Sequence, residues 1–507
     1  MIYFYSTCFI FVFYSFFAFS YFFIKIFILI NLNIFFFFVF MEYEKIENES
    51  ITKKKKLNKK GVITAIVTAI NSFTFSSCYA ITPLGIYIFS NIYHNTKNPK
   101  VTVETSYLIY PIFANTRGLN IFLVDFIKAK IGIRACIFIG TLLMSLSSFL
   151  ILKTMDMYLV LISVGICGVG ASLNNSLQNQ ELSEYFPDNL GLISAIVNIA
   201  ENLGQSFFTL MGEKIVGAKD KDKIDGYIKK EVAERIKYFL YLQIICFTAG
   251  GILCTLFVFP FNREKEKIKE KIENIPITTN TDIENFETKD DITPVKKIEE
   301  NKFPWKELKQ ILKTFKFWRY ALILFFLSPF VNLTFEMYNS IGIKVKIDKK
   351  YTDFIGLSFW ILVTIFTIIF GILFDCINFR IIINITSLIP VLVSFTYYYT
   401  LKKSGLLFTI DTLSNSIAVA GVNTTLIPHI IKVYSNKLLL PILSIIETGI
   451  NITSLITSYI AFLFEGLGNN IDQIFNFYFY LFNCLGIFCL IAWIFSFFED
   501  NNPFLYV

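Results

Sequence analysis

Uninterrupted apolar stretches of membrane length recur along this chain and limit what it can fold into. Runs such as 351–374 and 473–498 exceed the ~18–20 residues that cross a bilayer as a helix. Hydrocarbon offers the backbone no hydrogen-bond partner, so each run must satisfy its own N–H and C=O groups as α-helix. The composition agrees: 54% of the 507 residues are hydrophobic, more than a soluble fold can hide. The 58 phenylalanines carry no functional reading, because Phe, Ile, Lys and Asn together are the mark of AT-rich coding sequence. The expected class is an all-α, polytopic, multi-pass integral membrane protein. A plasma membrane and an organellar membrane are equally compatible with it.

Hydropathy divides the chain into twelve segments. The first half reads 61–90, 104–126, 131–152, 156–178, 189–213 and 236–260, and the second 317–340, 352–374, 380–400, 405–430, 437–463 and 473–498. This gives two six-helix bundles, 61–260 and 317–498, with a charged linker at 261–316, either partly disordered or carrying a short amphipathic helix, and a short tail at 499–507. Residues 1–40 are almost wholly apolar, with one lysine, Lys25. They are either an extra spanning helix or an upstream extension of a chain that starts at Met41; the polar run after Met41 favours the second. Six lysines between Lys53 and Lys60 place the 41–60 tail in the cytoplasm by the positive-inside rule. Six crossings then return the linker to that side. The four lysines of 344–350 and the pair Lys402 and Lys403 fall on the opposite side, against the same rule.

Two loops share one plan. Gly371-Ile-Leu-Phe-Asp375-Cys-Ile-Asn-Phe-Arg380 joins segments eight and nine, and Leu123-Val-Asp125-Phe-Ile-Lys128-Ala-Lys130-Ile-Gly132-Ile-Arg134 joins segments two and three. An acid at a helix end and a base just beyond it can pair with each other or with neighbouring helix ends. Glycine, acid and base at these two equivalent places resemble the major facilitator superfamily of transporters, over nearly the whole chain from about Gly61. The resemblance implies a major facilitator fold of twelve helices in two pseudo-symmetric bundles. It also implies secondary active transport, with the two bundles rocking about a central site. Asp125, Arg134, Gly371, Asp375 and Arg380 are then expected to form a gating latch.

An ionisable side chain near mid-bilayer is costly unless paired or wetted, which makes each one a functional candidate. Counting ~1.5 Å per residue along each segment puts Arg117, Glu201 and Glu447 near the middle of segments two, five and eleven. Segments five and eleven are equivalent in the two halves, and overlaying Ser194 on Ser444 sets Glu201 opposite Asn451. Arg117, Glu201, Glu447, Asn451, Asn198 and Asp411 are therefore the expected substrate-binding or coupling residues, with Asp411 nearer the outer face. The alternative is an internal ion pair, such as Arg117 with Glu201, that only holds helices together.

Further stretches resemble the oxalate/formate antiporter and monocarboxylate porter branch found in protists: Thr82-Pro-Leu-Gly, Tyr110-Pro111, Glu231-Val-Ala-Glu-Arg235, Tyr338-Asn-Ser-Ile-Gly342 and Asp353-Phe-Ile-Gly356. That branch implies a small monocarboxylate or other organic anion. Its members hold the carboxylate with a cation in helix eight and often a lysine in helix eleven. Here segment eight has no cation in its membrane part, and segment eleven offers Glu447. Mid-bilayer acids suit an amino acid, an organic cation or coupled protons instead. Segment four lacks the arginine of many proton-coupled sugar carriers and segment five lacks the Gly-Pro of drug antiporters, so sugars and drugs are less favoured.

The expected partners are a small-molecule solute, protons and the lipid bilayer. A net charge of +7 without interleaved basic and aromatic residues argues against nucleic acid. Two histidines, His94 and His429, lie far apart and nine cysteines form no C-x-x-C pair, so no metal or other cofactor is expected. A membrane enzyme would need a nucleophile–base spacing that the sequence lacks. A transporter-like receptor remains the other rival.

Overall fold

The computed structural model describes residues 59–98, 101–187, 189–217, 223–224, 227–261, 305–434, 436–467 and 471–499. The expected N-terminal apolar extension, nearly all of the 41–60 tail, most of the 261–316 linker and residues 500–507 lie outside the described residues.

Twelve helical spans follow in order: α1 Lys59–Thr96, α2 Ile109–Ile131, α3 Ile133–Lys153, α4 Met157–Tyr185, α5 Leu190–Val216, α6 Ile236–Phe257, α7 Phe315–Lys344, α8 Lys349–Cys376, α9 Phe379–Lys403, α10 Gly405–Tyr434, α11 Leu439–Leu467 and α12 Ile471–Ser496. The chain is an integral multi-pass membrane protein, with twelve helical spans among the described residues. The end at which α1 begins, expected to face the cytoplasm, is termed the inner end. Ten spans are long and apolar enough to cross a membrane by length and composition alone; α2 and α5 are not. Their hydropathy is lowered by Arg117, Asp125, Lys128 and Lys130 in α2 and by Asn198, Glu201, Asn202 and Gln205 in α5. Tertiary burial compensates, since Ile121, Val124 and Ala200 are each 0% exposed.

Local chemistry sets several boundaries. Asp156 caps α4 by accepting from the backbone N–H of Tyr158 at 2.7 Å and Leu159 at 3.1 Å. Asp348 caps α8 and Asn378 caps α9 in the same way. The Asp348 carboxyl, exposed in its loop, is held below the usual range by hydrogen bonds from Lys350. α4 runs through Asn174 and Asn175 to Tyr185, beyond the end expected at 178, because 179–185 holds no helix breaker. α1 is interrupted between Phe75 and Ser77.

α3, α6, α9 and α12 lie on the periphery and present apolar side chains outward, among them Leu142, Ile245, Leu392 and Ile487, each more than 40% exposed. In water such a surface would be untenable; in a bilayer it meets lipid. Inside the N-terminal bundle a buried amide cluster ties three helices. Asn71 of α1 donates to Asn174 of α4, which donates to Thr141 of α3 at 2.9 Å. α3 and α4 touch backbone to backbone at Gly140 and Gly170, where a Cβ on either would stand 2.6 Å from the other's carbonyl oxygen. Gly170→Leu is therefore expected to destabilise the bundle by roughly 1–3 kcal/mol through overpacking. A thermal unfolding midpoint in detergent equal to wild type would contradict this packing.

Two short elements accompany the spans, of which the first was not legible in the sequence. A short antiparallel hairpin pairs Lys223–Ile224 with Tyr227–Ile228 between α5 and α6. It docks on the outer end of α1, where Ile228 bonds Ser90 and His94 and Tyr227 stacks on Tyr93 at 3.9 Å. A linker helix, Trp305–Leu312, buries Leu308 and Ile311 in the C-terminal bundle and sets Trp305 against Phe122 of α2, ring centroids 5.7 Å apart.

Candidate functional site

A cavity of about 190 Å³ lies between the bundles, lined by α1, α2, α4 and α5 on one side and α7, α8, α10 and α11 on the other. The peripheral helices contribute no lining residue among those described. The site's charges meet on the cavity wall. Arg117 Nη1 donates to the Tyr79 hydroxyl at 2.6 Å. Its Nη2 lies 3.7 Å from Glu447 Oε1, both side chains being 19% exposed. The guanidinium also sits over the Phe75 ring, 5.8 Å from its centroid, a favourable cation–π placement. Glu201 lines the same cavity with Tyr79 and Asn175. The Tyr79 hydroxyl accepts from Arg117. Arg117 belongs to α2 and Glu447 to α11, so this ion pair crosses from one bundle to the other. The purely internal pairing of Arg117 with Glu201 is not the arrangement found: Glu447, across the bundle boundary, makes the direct ion pair.

The remaining wall is rich in amides. Asn175, Asn179, Asn198, Asn202, Gln205, Asn332, Asn423 and Asn451 line it, together with Tyr110, Phe335 and Trp360. Several amides are committed to protein partners. Asn451 donates to the Ala114 carbonyl at 2.8 Å, and Asn115 donates to the Asn451 carbonyl at 2.9 Å. Asn198 donates to the Asn423 carbonyl at 3.2 Å. The side-chain oxygens of Asn175 and Gln205 have no protein partner among the described residues. Asp411 stands apart from the cavity. Its carboxylate accepts from Thr396 at 3.0 Å and Thr400 at 2.8 Å on α9, because its position on α10 faces that peripheral helix. The sequence missed Tyr79, Gln205 and Trp360, which carry no charge and follow no motif.

The inner side of the cavity is closed by contacts between bundles. Ser444 of α11 donates to the Gly118 carbonyl of α2 at 2.7 Å, and Leu440 is buried against Ile121 and Val124. On the other flank α5 meets α8 at Gly191 and Gly371, where a Cβ on Gly191 would lie 2.7 Å from the Gly371 oxygen. Asp375 sits over the start of α5, its Oδ2 accepting from Leu192 N–H at 3.3 Å. Asn189 supplies no side-chain cap there, so a carboxylate from the opposite bundle meets the positive end of the helix. Lys432 Nζ lies 3.9 Å from Asp375 Oδ1. In the other half, Arg134 bonds the Val258 carbonyl at the end of α6 at 3.0 Å. Lys128 pairs with Glu181 at 2.7 Å and is a near neighbour of Asp125. Arg380 opens α9 with its backbone N–H capped by Asn378 at 2.9 Å. Of the five latch candidates, Arg134, Gly371 and Asp375 meet the end of another helix. On the outer side Tyr110 of α2 meets Phe335 of α7 edge to face, centroids 6.3 Å apart.

Among the described residues no three His, Cys, Asp or Glu side chains gather to hold a metal ion.

No protein-family model matches the sequence, and no curated protein matches it. Solved structures do. The chain is similar to the xylose transporter XylE from E. coli in a partially occluded inward-open conformation, with TM-score 0.57, 13% identity, and 86% of this chain and 98% of that one covered. It is similar to a D-xylose–proton symporter, with TM-score 0.61, 12% identity and coverage of 87% and 99%. It is also similar to the proton:xylose symporter XylE of the major facilitator superfamily bound to 6-bromo-6-deoxy-D-glucose, with TM-score 0.59, 15% identity and coverage of 86% and 96%. At these identities the likeness is one of fold, and the fold is that of the major facilitator superfamily.

Proposed function

We propose that the protein is a secondary active transporter that carries a small polar solute by alternating access, coupled to protons. The observation that carries this reading is the Arg117–Glu447 pair, which joins the two bundles at the wall of the central cavity. A proton on Glu447 removes its attraction for Arg117, which stays with Tyr79 and Glu201 on its own bundle. The two bundles then lose a charged link and separate more readily. Loss of the proton restores it.

The solute is a neutral polyhydroxylated molecule. Primary amides both donate and accept, which matches vicinal hydroxyls, and the unpartnered oxygens of Asn175 and Gln205 suit hydroxyl donors. Aromatic faces at Tyr110, Phe335 and Trp360 suit the apolar face of a ring. The xylose named for the similar structures supports the same class. The monocarboxylate expected from branch resemblance finds less support, because both terminal nitrogens of the one arginine on the wall are engaged, by Tyr79 and Glu447, and only its Nε has no partner among the described residues. The excess of carboxylates over guanidinium on the wall keeps an amino acid or organic cation as the second reading.

The test is uptake by the full chain in proteoliposomes under an inward proton gradient, with labelled pentose, monocarboxylate and amino acid in parallel. Gradient-driven pentose accumulation is expected. Uptake of the other two alone would overturn the solute class, and uptake of none, or uptake indifferent to the gradient, would overturn coupled transport. Asp411→Asn is expected to leave the uptake rate unchanged, since its carboxylate is held by Thr396 and Thr400 away from the cavity. A large loss of uptake in that variant would return Asp411 to the site.

A further inference from the structure

Cys78 of α1 and Cys167 of α4 are buried, 5% and 3% exposed, with their sulfurs 3.6 Å apart. Among the described residues no other two cysteines are in sulfur contact. Beside them lies a gap of about 10 Å³, lined by both cysteines with Thr82, Phe113 and Ser147 among its neighbours. That is about the room one water needs. Hydrogen peroxide is close to water in size, whereas a disulfide reagent such as oxidised glutathione is far too large.

We propose that Cys78 and Cys167 are a peroxide-operated thiol switch that acts on the cavity through Tyr79. In the first step the sulfur of one cysteine attacks a peroxide oxygen and the O–O bond breaks. The departing oxygen takes the thiol proton and leaves as water, and a sulfenic acid remains. In the second step the other sulfur displaces the sulfenic oxygen, which leaves with that thiol's proton as a second water. The sulfurs lose two electrons in total and peroxide gains two, so the exchange balances.

The bond has a mechanical consequence. A disulfide holds its sulfurs about 2.05 Å apart, so the pair must close by roughly 1.5 Å. α4 cannot give easily, because Gly168 packs on α2 at Phe113 and Thr116 and Gly170 packs on Gly140. α1 has its one-residue interruption between Phe75 and Ser77, just before Cys78, and Gly204 of α5 packs on Phe73 and Ser76 there, so the closure falls on the turn that carries Cys78. The next residue is Tyr79, whose hydroxyl takes the 2.6 Å bond from Arg117. Closing the pair moves Cys78 and with it Tyr79, which disturbs the bond from Arg117.

The covalent half of the test needs no solute. The full chain in detergent is treated with hydrogen peroxide or with oxidised glutathione, denatured, alkylated and mapped by peptide mass. A Cys78–Cys167 peptide lacking two hydrogens, formed by peroxide, absent with glutathione and reversed by dithiothreitol, is expected. Alkylated, unoxidised thiols at both positions after peroxide would overturn the switch. The second half rests on the transport reading and uses uptake in proteoliposomes. Wild-type uptake is expected to fall several-fold with peroxide and recover with dithiothreitol, while Cys78→Ser and Cys167→Ser keep their rates. A disulfide that forms without slowing uptake would overturn the effect on the site. Uptake by neither reduced nor oxidised protein would count against the transport reading, with the peptide map still deciding the covalent one.

Discussion

Arg117→Leu is expected to abolish coupled uptake and to destabilise the protein by roughly 2–4 kcal/mol, at or just below the range for breaking a buried ion pair, because the cavity still wets the site. The substitution leaves Glu447 and Glu201 facing one another across the cavity without the cation between them, and it strips Tyr79 of its donor. Thermal unfolding in detergent reads the stability loss, and proteoliposome uptake reads the function. The double variant R117L/E447Q removes charges from both bundles together. It is expected to regain much of the stability while remaining uncoupled. If it is as unstable as R117L alone, Glu447 is not the partner that matters.

Gly371→Val is expected to shift the protein away from its inner-closed state by roughly 5–150-fold, the population equivalent of 1–3 kcal/mol of overpacking. The first methyl-bearing carbon alone would lie 2.7 Å from the Ala195 Cβ and 3.3 Å from the Gly191 oxygen. α5 and α8 would then be held apart at the end where Asp375 meets Leu192. Hydrogen exchange should quicken at the start of α5 and the end of α8, and net uptake should fall. Unchanged exchange at those helix ends would mean that the Gly191–Gly371 approach does not seal the inner side. Asp375→Asn keeps the backbone approach and loses only the charge at the α5 terminus. Its effect is expected to be smaller, about 0.3–1 kcal/mol.

Ten of the twelve spans were legible because a membrane helix advertises itself by length and hydropathy, α2 and α5 followed from their place between such spans, and a boundary was missed where a polar turn extends the helix, as at α4. Arg117, Glu201 and Glu447 were visible for the opposite reason, being charges where charge is costly. What periodicity could not supply was the partner. Whether Arg117 turns to Glu201 on its own bundle or to Glu447 on the other depends on how the bundles dock, which is a property of three-dimensional packing. The same holds for Asp411, whose depth in its segment says nothing of the helix face it occupies. Tyr79 had no signal at all, since a tyrosine in an apolar run is most often packing or interface. The two loop motifs were legible as charged helix ends, yet the residues they meet, Leu192 and Val258, are reached only through tertiary structure.

The low hydropathy of α2 and α5 bears on how the chain is made. On insertion scales an arginine at a helix centre costs about 2.5–3.5 kcal/mol, so α2 emerging from the ribosome has little reason to leave the translocon for lipid unaided. It must wait for a neighbour: α2 packs chiefly on α4 and α11, and α5 on α1 and α8. The side chains that give the cavity its chemistry are thus the ones that slow the protein's own biogenesis, and its yield in a membrane will be set by how promptly those apolar companions arrive.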